Sequence, residues 1–210
     1  GCHDYFNDCN FDMSCMAAIV AGNSDMTFND CTAECGSYFA LTHCVNGWQE
    51  EVADITVTGG DIHTKKECVL VKSHNMMLDL CDVNISSDKG ILVHTIVNDD
   101  PCATKVTKDV FGVNVVMTDM DVKGDLLHED TTREMWVMLN STQLTGAIQH
   151  ANVAFDKGSK WVATADSDVV FVTDVEPAQI DAPAGVTITA KGAEAGEFAL
   201  ASGGKLVVTA

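Results

Sequence analysis

Residues 113–128 (VNVVMTDMDVKGDLLH) and 135–150 (MWVMLNSTQLTGAIQH) align without a gap at an offset of 22. Val115 falls on Val137, Met117 on Leu139, Val122 on Leu144, Gly124 on Gly146, Leu126 on Ile148 and His128 on His150. Self-similarity at a period of about 20 to 50 residues marks chains that stack one small unit on the next. The leucine-rich frame is absent, and so is the 3.6-residue apolar period that helical repeats require. What remains is Val, Ile, Leu, Met and Phe in runs of three or four, flanked by Thr, Asp, Asn and Ser. That composition suits parallel strands whose side chains pile rung over rung. The expectation is an all-β fold, a parallel β-helix (β-solenoid) of about 20–22 residues per coil, in which about eight coils at ~4.8 Å each give a rod ~40 Å long.

The same phrasing recurs upstream. AIVAG (18–22) sits on YFALT (38–42) at an offset of 20, which stacks Cys15 over Cys35. Residues 31–43 match 83–95, and CVLV from Cys68 matches GILV from Gly90 at an offset of 22. Polar stretches at 45–52 and 97–110 interrupt the rungs and read as loops thrown out from the stack, where binding is expected to collect. The phrase TDVEPAQIDAPAG then closes the repeat. The chain divides accordingly into a β-helix over 1–175 and a small C-terminal strand module over 176–210, expected to cap the last rung and blunt its edge.

The segments LTGAI (144–148) and ANVAFDKGSKWVATADSDV (151–169) resemble the closing repeats of right-handed parallel β-helix proteins of bacterial surfaces, adhesin-like in kind. ITVTGGDIHTKKECVLVKS and VNISSDKGILVHT look like their interior coils. The resemblance lies in stacking patterns shared across the pectate-lyase-like architecture. It implies a right-handed coil and a cell-surface setting, and it brings no catalytic motif with it.

Charge narrows the partners. Thirty-one acidic residues stand against 12 basic ones, net −19, and Arg133 is the sole arginine. Nucleic acid is therefore excluded as a partner, and polyanionic sugars and anionic lipids are repelled. Nine cysteines suggest an oxidising, extracellular compartment with disulfides, an odd count leaving at least one thiol over. The chain begins at Gly1, read as the product of leader removal or of cutting from a longer protein. The longest apolar run, residues 16–21, is too short to span a bilayer, for which about 18 residues are needed.

Candidate chemistry is thin. A uronate lyase needs a base and cationic holders that this acidic chain lacks. A glycosidase needs two carboxylates about 5–10 Å apart, for which Asp99 and Asp100 are the neighbours on offer. Together with Trp48, a sugar-ring platform beside Asn46 and Gly47, they form the expected ligand-binding set. Asp119, Asp121, Asp125, Asp166 and Asp168 offer the hard oxygen ligands of calcium, the one cofactor considered. Cys31, Cys35, His43 and Cys44 offer zinc donors at spacings that miss the usual knuckles. His128 over His150 is a same-face pair, and Trp161, over Leu139 in the repeat frame, is expected to pack. The function expected is a secreted, non-enzymatic surface module, structural, adhesive or fibre-forming, with end-to-end self-association or a glycan or host-surface ligand. The alternative is a carbohydrate-active enzyme or binding module on the same scaffold.

Overall fold

The computed structural model describes residues 2–43, 51–100, 111–130 and 132–210. The chain winds as a β-solenoid of three walls joined at three corners. Strands Cys2–Asn7, Ser24–Asn29, Val52–Thr58, Asn75–Cys81, Val113–Thr118 and Met135–Asn140 pair in parallel to make the first wall. The second wall runs from Asn10–Met13 through Thr32–Cys35 and Asp61–Thr64 to Asn84–Ser87, and a separate sheet continues it from Asp121–Lys123 to Ile180–Asp181. The third wall stacks Ala18–Ala21, Ala40–His43, Val69–Lys72, Ile91–Ile96 and Asp125–His128. Strand Ile148–Phe155 carries on around a corner from the third wall to the first, so the two join in one 16-stranded sheet.

Alternation along each strand sends every second side chain inward, and parallel register stacks these into columns. One column reads Phe6, Phe28, Val57, Leu80, Met117, Leu139, Phe155, and beside it runs Met26, Ile55, Leu78, Val115, Val137, Val153. Phe6 and Phe28 lie stacked, with ring centroids 4.9 Å apart. Each fully buried Leu, Ile or Phe contributes about 1.5–3 kcal/mol, so the core is built coil by coil. Trp161 is completely buried as expected, although it stacks on Leu144 rather than Leu139.

The corner between first and second walls accounts for four of the chain's 31 acidic residues. Asp8, Asp30, Gly59, Asp82, Asp119 and Ser141 occupy it in successive coils, each with φ between 48° and 67°. Only Gly, Asn and Asp tolerate this left-handed region readily. The aspartates here are corner pieces.

Three details depart from the sequence reading. The first two coils stack at 22, so Ala18 pairs with Ala40, and Cys35 lies over Met13 rather than Cys15. Val69 pairs with Val93 at an offset of 24, because the coil already stacks Thr64 on Ser87 at 23 and one further residue enters before Val93, where the strand carries a bulge. The expected disulfides are absent among the described residues: Cys2, Cys9, Cys15, Cys31, Cys35, Cys68 and Cys81 are all free thiols. Parallel neighbours point their side chains the same way, which disfavours the Cβ geometry of a cross-link even at rung spacing.

At the C-terminal end, Ile180–Asp181 and Thr187–Lys191 still stack in parallel on the coils before them. Gly196–Ala199 then runs antiparallel to Lys205–Thr209 and closes the stack as a cap. No helix among the described residues is long and apolar enough to cross a membrane.

Candidate functional site

Polar groups enter the interior where the third wall turns back to the first. The inward column of the third wall reads Val20, Thr42, Val71, Thr95, His128, so a polar seam opens as the coils proceed. His128 Nε2 lies 3.0 Å from the Arg133 carbonyl, which can only accept, so Nε2 carries the proton and Nδ1 accepts from the Thr95 hydroxyl. Asp130 and Arg133, each almost wholly buried, form an ion pair, and Thr132 donates its amide to Asp130 at 3.0 Å. Such a pair is costly to bury and costlier to break, about 3–5 kcal/mol when one partner is removed. Buried Asn75 accepts from Gly112 N–H at 3.1 Å and donates to the Glu51 carbonyl at 3.0 Å, so one side chain clamps the roots of two insertions.

His74 sits in this corner at 1% exposure, and among the described residues neither ring nitrogen has a hydrogen-bond partner. Burial, then the positive charge of Arg133 and the neighbouring His43, push it down to about 4. It is a neutral imidazole at physiological pH.

Beside the seam a groove opens to solvent. A cavity of about 220 Å³ is lined by Glu134, His150, Asn152 and Asp168 among others. A second of about 470 Å³ shares His150 and Asp168 with it and adds Asp166, Thr187 and Thr189. His150 takes φ 57° at a bulge in its strand, which turns it out to the groove while His128 faces in. The two histidines share a repeat position but not a face. Trp136 lines neither cavity but stands exposed beside Asn152, with Nε1 donating at 3.1 Å to Oε2 of Glu134, and both of these residues line the smaller one.

The expected site residues scatter. Trp48 lies outside the described residues. Asp99 and Asp100 both meet the Lys72 ammonium, at 3.2 and 3.4 Å, and the hydrogen bond from Lys72 holds Asp99 below the usual carboxylate range. Asp119 is a corner residue, and Asp121 points outward in register with Gln143. Asp125 accepts from Ala147 N–H at 2.7 Å, and Asp166 from Thr187 N–H at 2.8 Å, so both tie one coil to the next. Of the metal candidates only Asp166 and Asp168 come together, in the groove. Among the described residues no three His, Cys, Asp or Glu side chains gather as metal ligands.

The structure also assembles a trio that sequence reasoning missed. His63 Nδ1 lies 3.1 Å from Ser86 Oγ and its Nε2 3.2 Å from Asp88, on the outer face of the second wall. The signal was the register itself, since Ser86 stacks directly on His63. All three are open to water and lie outside the cavities just described. No family model, curated protein or solved structure matches this chain.

Proposed function

We propose that the chain is a non-enzymatic structural module of an extracellular or bacterial cell-surface protein, a stiff rod whose outer faces carry adhesive or assembly contacts. The observation that carries this reading is how the polar side chains are used. Asn29 donates to Asn7 at 2.8 Å, Thr32 to Asn10 at 2.9 Å and Asn84 to Asp61 at 2.8 Å, each joining one coil to the next. These ladders reinforce a stack instead of converging on a reacting atom. The free thiols withdraw the cysteine argument for an oxidising compartment, so placement outside the cell rests on the likeness to surface β-helices.

Negative-stain microscopy with light scattering over a concentration series tests the proposal. Rods that lengthen or associate through one end with concentration support it, and monomers at every concentration count against assembly. A reducing-sugar assay on plant and mucin polysaccharides tests the enzymatic alternative. Turnover that disappears in Asp99→Asn/Asp100→Asn would overturn the non-enzymatic reading.

A further inference from the structure

We infer that the groove beside Trp136 is a glycan subsite for polymers bearing free amino groups. This deepens the adhesive half of the proposed function and rests on it. On the outer face of the first wall, Trp136 lies between Asn114 in the coil before and Asn152 in the coil after. Val116, Met138 and Ala154 form the adjoining outward column. A flat indole bordered by amides and short apolar side chains offers a pyranose a face for its C–H groups and donors for its hydroxyls.

Charge selects among sugars. Glu134 is held in place by donors from Trp136 at 3.1 Å and Asn152 at 3.4 Å, both on the same carboxylate oxygen. Its exposed carboxylate borders the smaller cavity with Asp168, and Asp166 borders the larger one. The other ionisable groups on these walls are His150, His128 and Arg133, and Arg133 is engaged with Asp130 inside the corner. A rim with three carboxylates repels uronates and sulfated sugars and attracts ammonium groups. An ammonium close to the indole face gains a cation–π contact as well. The ligand class is therefore an amino-sugar polymer, laid along the coil axis over Trp136.

Calorimetric titration with a glucosamine hexamer, its N-acetylated counterpart and a galacturonate hexamer tests the inference. Binding of the glucosamine hexamer is expected, weaker binding of the N-acetylated form, and none of galacturonate. Trp136→Ala weakens binding by about tenfold or more. Glu134→Gln and Asp168→Asn each weaken it about two- to fivefold. Asp12→Asn, an equal charge change on an exposed strand of the second wall, leaves it unchanged. Trp136→Phe retains most of the affinity and checks that the platform, not the fold, was lost. The inference fails if the glucosamine hexamer does not bind, if the N-acetylated hexamer binds as tightly, or if Asp12→Asn weakens binding as much as Asp168→Asn. None of these outcomes bears on the rod and its association, which the microscopy reads separately.

Discussion

Gly146→Ala measures the close approach of neighbouring coils. A Cβ at Gly146 would lie 2.0 Å from the carbonyl oxygen of Gly124 in the coil beneath, where real Cβ contacts stay beyond 3.0 Å. The coils must therefore part by at least about 1 Å at the corner leading into the third wall. The bonds Gly124 N–H to Thr145 O and Leu126 N–H to Ala147 O, both 2.9 Å, then stretch past useful length. Losing two bonds at about 1 kcal/mol each, with overpacking of about 1–3 kcal/mol, gives a cost of about 4 kcal/mol. Gly90→Ala is the comparison, because Gly90 shares the repeat phrase yet a Cβ there meets nothing within 4 Å. Its φ of 68° leaves only left-handed strain of about 1–2 kcal/mol. Thermal unfolding separates the two, with a fall of about 8–16 °C for Gly146→Ala and about 2–8 °C for Gly90→Ala. Equal shifts in the two variants, or a smaller one for Gly146→Ala, would refute the stacking argument.

Other outcomes follow from the same structure. His74 titrates near 6.5 when unfolded and about 4 when folded, so the unfolded chain binds its proton first and stability falls as pH drops from about 6.5 to about 4. His74→Leu removes up to about 3 kcal/mol of that acid sensitivity, read as a flatter pH dependence of the urea midpoint, and an unchanged dependence would contradict the buried neutral imidazole. Iodoacetamide should alkylate exposed Cys2 and Cys15 in the folded protein and spare Cys68, whose thiol burial pushes up to about 12. Peptide mass mapping that finds Cys68 modified as fast as Cys15 would count against the packed interior. The His63, Ser86 and Asp88 trio, set on an open face, is expected to give no turnover of a p-nitrophenyl ester beyond that of Ser86→Ala; a rate several-fold higher in the parent chain would make it a catalytic site.

The fold was legible because a repeat writes each core position several times. Val115 over Val137 and Leu126 over Ile148 needed only an offset, and the structure keeps both pairs. Where coil lengths change, the offset misleads. That coil stacks at 23 through Ser87 and at 24 from Val93, which shifted the matches drawn at 22, and an offset of 20 in place of 22 made Cys15 and Cys35 partners when Met13 holds that place. The site was much less legible. Two aspartates that read as calcium ligands also have structural places the spacing did not reveal, Asp119 at a left-handed corner and Asp125 accepting an amide of the next coil. Conversely, the groove is made from residues of three coils, Glu134, His150 and Asp168, that no local spacing brings together.

In a solenoid, residues far apart in sequence lie one rung apart in space. Tyr5, Thr27, Thr56, Asp79, Val116 and Met138 form one outward column of the first wall, each paired to the next. Spin labels carried on genetically encoded side chains at positions 5, 27 and 138 allow pulsed dipolar distance measurement. Five steps between positions 5 and 138 give about 24 Å, and four steps between 27 and 138 about 19 Å. Two narrow distributions differing by one ~4.8 Å rung match the solenoid. Broad distributions, or a distance from position 5 no longer than that from position 27, would contradict it.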